Sequence, residues 1–215
     1  MLSKIKKSQA LRTQLKPLTT AILSLIGVVS PAYSAVINYS DAAVNANGIT
    51  LTDDLLQLQV TTGTAVQTGV IKGDFSFEKI GSGILVLSAT NTYQGDTNIS
   101  AGTLRLSNGT AISDTGGTVN VSSGATLDIA SYETIGSISG AGNINLNNYA
   151  LTTGGNNTST TYSGVLSGTG SLTIVGTGKT TLSGTNTYSG NTINSGTISV
   201  SEDNNLGSGG ALLFN

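Results

Sequence analysis

Hydrophobic residues alternate with polar ones in short runs along the chain after residue 35. Typical examples are the pairs Leu104/Leu106 and Val119/Val121. Alternation at a period of two places every second side chain on the same face of a strand, so that one face is buried and the other meets water. Gly, Asn or Ser interrupts each run after roughly four to six residues. The pattern therefore predicts an all-β chain of many short strands.

One sequence segment occurs twice along the chain in similar form. The segment Asn91-Thr92-Tyr93-Gln94-Gly95 recurs as Asn186-Thr187-Tyr188-Ser189-Gly190, an offset of 95 residues. After one deletion, Gly102-Thr103-Leu104 recurs as Gly196-Thr197-Ile198, an offset of 94 residues. A single deletion within an otherwise constant register indicates a duplication.

Short strands of one-sided polarity fit either an antiparallel sandwich or barrel, or a solenoid of stacked coils. The duplication favours the solenoid, because stacked coils repeat their geometry whereas a sandwich has no need to. Strands in adjacent coils lie about 4.8 Å apart, so that like residues stack on like residues. We expect roughly nine coils and a length on the order of 40 Å.

The repeat pattern divides the chain into four segments. Residues 1–34 form a leader, and residues 35–68 form an N-terminal β segment or cap of the solenoid. Residues 69–163 form the first repeat module. Residues 164–215 form a second, truncated module, because the last residues match the strand that contains Val119.

The leader has the features of a bacterial secretory signal. Its basic region ends at Lys16, and the apolar run over 18–29 is shorter than the roughly 20 residues that span a bilayer. Small residues predict cleavage between Ser34 and Ala35. The alternative is an uncleaved anchor helix or a core helix.

With these residues in view, the chain resembles the passenger domains of bacterial autotransporters, and in particular the autotransporter-associated β-strand or passenger-associated transport repeat. That repeat reads roughly G-x-G-x-L-x-L-x-G-x-N-T-Y-x-G-x-T-x-I-x-x-G-T-L, and the resemblance covers about residues 61–215. The first copy matches at Gly81, Gly83, Leu87, Asn91, Thr92, Tyr93, Gly95, Gly102, Thr103 and Leu104, and the second at Gly176, Gly178, Leu182, Asn186, Thr187, Tyr188, Gly190, Gly196, Thr197 and Ile198.

The resemblance implies a right-handed parallel β-helix (β-solenoid) after an N-terminal signal helix. It also implies export, display at the cell surface, and an outer-membrane β-barrel translocator. We expect that barrel to be missing from this chain, which makes the chain a passenger fragment; the periplasm is the alternative location for such a fragment.

Two positions depart from the repeat. Ala89 stands where the second copy has Gly184, and Thr180 stands where the first copy has Leu85. Because Leu85 is an inward position, Thr180 should place a polar group in the core and weaken one rung.

Composition excludes several chemistries. The chain has no His and no Cys, so it cannot assemble a Ser-His-Asp or Cys-His nucleophile, a His/Cys zinc site or a disulfide. After residue 34 it keeps four basic residues against eleven acids, a formal net charge of −7. So few cations cannot neutralise a run of phosphates, and we predict no nucleic-acid partner.

Three short motifs invite a more specific interpretation. Gly176-Thr177-Gly178-Lys179-Thr180 imitates the end of a phosphate-binding loop, but the required preceding Gly is replaced by Thr173, so we predict no nucleotide. Asp53-Asp54 fits a turn better than a metal site. Glu202-Asp203-Asn204-Asn205 fits an acidic corner better than a calcium loop. We predict no metal and no cofactor.

Tyr93 and Tyr188 occupy equivalent positions, and Tyr162 lies in a related setting. Such rings could stack on sugars, but a residue that recurs with the coil is more often part of its packing, so we favour a structural role. A polysaccharide-cleaving site would need acids grouped with Lys or Arg. Because Asp96, Asp128 and the other acids are scattered, we expect no catalytic site.

The sequence therefore predicts an exported, surface-displayed β-helix passenger with a structural or adhesive role and no enzymatic activity. The alternative functions are an adhesin-type module that binds a host-surface glycan or protein through exposed Thr, Asn and Tyr and, more remotely, a fragment of a polysaccharide-acting β-helix enzyme.

Overall fold

The structure, a computed structural model, describes residues 35–52, 56–114 and 116–215. Two features predicted from the sequence lie outside the described residues. They are the signal peptide, which ends at Ser34, and the Asp53-Asp54 pair. The described residues contain 23 β-strands, one short 3₁₀ helix and no α-helix. None of their helical segments is long and apolar enough to cross a membrane.

The strands are short, as the alternation predicts. Their bounds are β1 Val36–Tyr39, β2 Val44–Asn45, β3 Ile49–Thr50, β4 Leu56–Val60, β5 Thr64–Gln67, β6 Ile71–Lys72, β7 Phe77–Ile80, β8 Ile84–Leu87, β9 Thr97–Ile99, β10 Thr103–Leu106, β11 Thr118–Val121, β12 Thr126–Ile129, β13 Glu133–Ile135, β14 Ser137–Gly140, β15 Asn143–Asn145, β16 Leu151–Thr153, β17 Thr160–Tyr162, β18 Val165–Ser167, β19 Leu172–Ile174, β20 Lys179–Leu182, β21 Thr192–Asn194, β22 Thr197–Ser199 and β23 Leu212–Phe214, with the 3₁₀ helix at Asp203–Leu206 between the last two.

These strands form parallel sheets that cover the faces of a solenoid. Sheet A has nine strands in the order β1-β4-β7-β9-β11-β14-β17-β20-β22, and sheet B has seven in the order β18-β15-β12-β10-β8-β5-β2. The third face carries the two-stranded sheet C (β3-β6) and the five-stranded sheet D (β13-β16-β19-β21-β23). The predicted all-β solenoid is confirmed; its right-handed winding stays a prediction.

Each coil contributes one sheet A strand, so the described residues make nine coils, numbered here from β1. Coil 5, for example, consists of β11, β12 and β13. Coils stack in register: Leu172 of coil 7 pairs with Thr192 of coil 8, and Thr192 pairs with Leu212 of coil 9, a step of 20 residues each time. Like residues lie above like residues at Leu104 and Leu127, whereas Thr192 interrupts the stack of Leu172 and Leu212.

The core consists of inward side chains in columns that run from coil to coil. Leu85, Leu104 and Leu127 form one such column and are fully buried. Burying each of these side chains stabilises the fold by about 1.5–3 kcal/mol. Glycine is required where the chain turns between two sheets: Gly102 has φ +67°, and a Cβ there would lie 2.5 Å from the carbonyl oxygen of Gly81 in the coil before.

Both predicted departures from the repeat can be located. Thr180 points inward and is buried, stacked between Thr160 and Ile198, which confirms the polar rung. The Thr160 hydroxyl oxygen is buried without a hydrogen-bond partner. Gly184 is obligatory, because a Cβ there would lie 2.0 Å from the carbonyl oxygen of Gly164, whereas the methyl group of Ala89 is accommodated and nearly buried.

Candidate functional site

The asparagine of the repeat connects three coils. The side chain of Asn91 in coil 3 is buried, its Oδ1 accepts a hydrogen bond from the Ile71 backbone N–H at 2.8 Å, and its Nδ2 donates to the Ala111 carbonyl at 2.7 Å. Ile71 belongs to coil 2 and Ala111 to coil 4. The side chain thus satisfies backbone groups that no strand pairing satisfies at this corner, which is what a buried polar group must do.

The tyrosine of the repeat fills the core beside this corner. Tyr93 is fully buried, its ring packs edge-to-face on Phe77 with 5.2 Å between centroids, and its hydroxyl hydrogen bonds to Thr97 Oγ1. Between Tyr93 and Thr97, residue 95 must be a glycine, because a Cβ there would lie 2.3 Å from the Phe75 backbone.

The second copy repeats these contacts. Asn186 accepts from the Leu166 backbone N–H at 2.8 Å and donates to the Asn205 carbonyl at 2.6 Å. Tyr188 is fully buried and its hydroxyl hydrogen bonds to Thr192. Because Tyr93 and Tyr188 have no exposed surface, neither can stack on a sugar in the folded chain; the hypothesis of a ligand contact at these two tyrosines is wrong.

Tyr162 is also buried, and its hydroxyl donates to the Gly142 carbonyl at 2.7 Å. Burial raises the pKa of all three of these tyrosine hydroxyls above the ordinary value. The role of the repeat residues in these contacts is to join neighbouring coils.

The two copies lie on different faces of the solenoid. Strand β8 of the first copy belongs to sheet B, whereas its equivalent β20 belongs to sheet A. In the same way, β9 lies in sheet A and its equivalent β21 in sheet D. From β8 in coil 3 to β20 in coil 8, the 95 residues of the offset wind through five coils but stop one face short. The two copies therefore do not form one continuous stripe on the surface.

Two buried ionisable groups were not anticipated from the sequence. Lys79 is fully buried, and its ammonium donates to the carbonyl oxygens of Ile80, Gly81 and Ala101 at 2.8–3.1 Å. Desolvation lowers the pKa of Lys79 to about 8. Its inward position could have been read from the alternation of Phe77 and Lys79 along β7, but its charge argued against such a reading.

Glu133 is the second of these groups. Its carboxylate accepts hydrogen bonds from the backbone N–H groups of Ile112 at 2.8 Å and Ala111 at 3.4 Å. Desolvation raises its pKa to about 8, against the opposing effect of these two bonds. Glu133 takes over in coil 5 the task that Asn91 performs in coil 3, which is to bond backbone groups of coil 4.

The exposed Asp96 and the buried Asp128 lie at separate places in the fold. Asp96 Oδ1 accepts from the Thr118 backbone N–H at 2.7 Å, and Asp128 forms an ion pair with Arg105 at 2.5 Å. No group of three or more acidic side chains that could hold a metal occurs among the described residues. The acids thus contribute to local structure at separate places.

The remaining motifs form corners. Residues Gly176–Gly178 lie just before β20, and the Thr177 N–H donates to Asn157 of the preceding coil at 2.8 Å. Glu202 precedes the short 3₁₀ helix, and its side chain and that of Asn205 bond each other's backbone as a capping box.

One exposed feature stands out at the corner where sheet B ends and sheet D begins. The Tyr132 side chain is 67% exposed and contacts Tyr149 of the next coil edge-to-face, with 5.7 Å between centroids. A shallow cleft of about 230 Å³ lies over coils 3 and 4 on the same side; it is lined by Thr90, Gln94, Thr110, Ser113 and Asp114, among others. The cleft and the Tyr132 ring are exposed groups that a ligand could reach.

Comparison with known proteins agrees with the repeat pattern. The family model of the passenger-associated transport repeat matches residues 77–106 and 172–200. The chain is also similar to the "Adhesin BmaC autotransporter" of Brucella suis biovar 1 (strain 1330), with 33% identity over 88% of this chain. The chain spans about 6% of the length of that relative. No solved structure matches the chain.

Proposed function

Because the chain is an autotransporter passenger segment that carries passenger-associated transport repeats, we propose that its solenoid is displayed on the bacterial surface and contributes to adhesion. The observation that carries this proposal is the similarity to an autotransporter adhesin along 88% of the chain, together with the solenoid fold of its described residues. Export through the leader over 1–34, with cleavage before Ala35, is part of the proposal.

The architecture supports display because a solenoid adds length without a limit on size. Each coil contacts only its neighbours, so that folding can propagate from one coil to the next. A chain that crosses a membrane unfolded would be held on the far side as successive coils bury their columns, and a translocator encoded with the parent passenger would supply the passage.

The surface supports a binding role and a non-catalytic one. Its outward positions are rich in Ser, Thr and Asn, as in the sheet A column Asn98, Asn120 and Ser139. Acids such as Asp96 and Asp128 are engaged in separate structural contacts, which gives general acid–base chemistry no paired groups.

The proposal is tested by displaying the full chain on a non-adherent bacterium through a translocator that lacks its own passenger. We expect several-fold more attachment to epithelial cells than with the empty translocator. The matched control is Leu104→Asp, which places a carboxylate in the core and should abolish attachment together with the fold. Antibody staining of intact cells checks display. Display without any gain in attachment, or failure of the chain to reach the surface, would contradict the proposal.

A further inference from the structure

The Tyr132–Tyr149 pair presents a rigid aromatic ring to solvent. Tyr149 packs against the hydrophobic core, and Tyr132 leans on it edge-to-face. Tyr132 directly precedes β13, so its backbone is held by the pairing of Glu133 with Leu151. The Tyr132 side chain is 67% exposed, yet its backbone and its ring both have contacts that restrict their motion. Binding a ligand on this apolar ring face would therefore cost little conformational entropy.

Polar side chains continue from this ring across the two preceding coils. A Cβ built at Gly109, next to the cleft residue Thr110, would lie 2.9 Å from the carbonyl oxygen of Tyr132, so the backbone of Tyr132 stacks beside the chain that lines the cleft. Within the cleft, Thr110 Oγ1 donates to Thr90 Oγ1 at 2.9 Å. The Glu133 carboxylate, one residue after Tyr132, accepts a hydrogen bond from the backbone N–H of Ile112, one residue before the cleft residue Ser113.

The cleft side chains are also held in place across coils. Gln94 Nε2 donates to Ser113 Oγ at 3.2 Å, and Asp114 beside them is exposed. Hydroxyl and amide groups are thus held by hydrogen bonds, with the exposed Asp114 carboxylate beside them, on the side of the solenoid that carries Tyr132. We call the cleft together with Tyr132 and Tyr149 the corner groove; it extends over coils 3 to 6, on the order of 14 Å at the spacing of parallel strands.

We propose that the corner groove binds an uncharged oligosaccharide, with one pyranose ring stacked on Tyr132 and neighbouring hydroxyl groups bonded to the cleft. This deepens the proposed adhesive function and rests on it, because the sugar would be the receptor on the contacted cell. The apolar C–H face of a pyranose matches the electron-rich face of an aromatic ring, and its hydroxyls match the polar side chains that follow.

Charge selects the class of sugar. The groove carries the Asp114 carboxylate and no Lys or Arg among its lining residues, and residues 35–215 have a formal net charge of −7. Sulfated or sialylated chains would meet repulsion there, whereas neutral chains would not.

The test measures binding of the full chain, in solution, to immobilised neutral oligosaccharides of hexose and N-acetylhexosamine, with heparin as the anionic probe. We expect the wild-type chain to bind at least one neutral probe and to bind heparin more weakly. Tyr132→Ala should weaken the neutral interaction by about tenfold or more, whereas Tyr132→Phe should stay within about twofold, since the ring is kept.

Phe214→Ala is the matched control, because Phe214 is an equally exposed aromatic residue (72%) outside the groove. It should leave binding unchanged, whereas equal losses in both variants would indicate general adhesion of exposed rings and overturn the proposal. Because Tyr132 is exposed, thermal unfolding of Tyr132→Ala should remain close to that of the wild type.

Absence of binding to every neutral probe, or preference for heparin, would overturn the inference. If displayed Tyr132→Ala cells still attach as well as wild type, the groove is not the receptor site, although the adhesive proposal stands. If wild-type display gives no attachment, the adhesive proposal fails by itself, and the soluble binding assay still reports whether the groove binds sugar.

Discussion

The two copies of the repeat share their contacts but not their place in the fold. In both, an asparagine bonds backbone groups of the coils before and after it, and a tyrosine is buried against a threonine hydroxyl four residues later. Yet β8 of the first copy lies in sheet B and β20 of the second in sheet A. The motif therefore specifies how one corner is joined to its neighbours, and the number of residues in the intervening coils decides which face that corner occupies.

The copies also differ inside the core. The column through the first copy contains Ala65, Leu85 and Leu104, whereas the equivalent column of the second contains Thr160, Thr180 and Ile198. The first copy in turn has Lys79 where the second has Ile174. Local contacts were thus preserved after duplication while individual rungs diverged.

The largest expected effect comes from the buried tyrosines. Tyr93→Ala and Tyr188→Ala should each destabilise the chain by about 3–5 kcal/mol, because each leaves a cavity of a ring's size in the core. Urea unfolding followed by far-ultraviolet circular dichroism measures the loss. A difference of more than about 1 kcal/mol between the two variants would break the equivalence of the copies. The exposed Tyr132→Ala serves as the control.

The asparagine contacts come next. Asn91→Leu and Asn186→Leu preserve volume but leave a buried N–H and a buried carbonyl without partners, so each should destabilise the chain by about 2–4 kcal/mol. Hydrogen exchange should show faster exchange at the Ile71 amide in the first variant and at the Leu166 amide in the second. Unchanged protection of these amides would show that the asparagine side chains do not bond them in solution.

The pH dependence should separate residues 69–163, which contain Lys79 and Glu133, from residues 164–215. The raised pKa of Glu133 stabilises the fold below its ordinary value of 4.5, and this contribution is lost as the pH rises to about 8. The lowered pKa of Lys79 adds stability above about 8, up to its ordinary value of 10.5. The melting temperature should therefore pass through a minimum near pH 8.

Two variants separate the contributions of Glu133 and Lys79 to this minimum in the melting temperature. Glu133→Gln keeps an oxygen that can accept from Ile112 and should remove the decline on the acidic side. Lys79→Met should remove the rise on the alkaline side. Above pH 10 the buried tyrosines oppose the rise, because burial raises their pKa as well. A melting temperature that changes in one direction only between pH 5 and 9.5 would contradict the assignment.

The smallest effect is a gain of stability. Thr160→Val replaces a hydroxyl that is buried without a partner next to Thr180, and it should stabilise the chain by about 1 kcal/mol. Thr161→Val, the outward neighbour, is the control and should change little. A loss of stability in Thr160→Val would show that the hydroxyl has a partner in solution.

The fold could be predicted because its rules are local. Alternation at period two located the buried columns, and glycine positions located corners such as Gly102, where φ is positive. The inward position of Thr180 followed from its equivalence to Leu85 and is confirmed. The coil length is not a constant of the motif, so the rotation of the second copy onto another face could not be read from the offset alone.

The candidate site was less predictable. Sequence reasoning singled out Tyr93 and Tyr188 because they recur, and recurrence marks the residues that build a coil. Tyr132 and Tyr149 do not recur and carry no motif. They meet because stacking places residues 17 positions apart on adjacent coils at the same corner. No pattern in the sequence marks Tyr132, because the strand that follows it begins with the polar residues Glu133 and Thr134.

The chain's own order of residues already contained the strand period, the duplication, the turns that need glycine and the poverty of cations, because each depends on near neighbours or on composition. Three-dimensional stacking alone settled which sheet receives each copy, that Lys79 and Glu133 are enclosed, and that one tyrosine pair reaches solvent beside a polar cleft. These features depend on the number of residues in each coil. If a coil is a few residues longer or shorter, the side chains that follow it lie on another face.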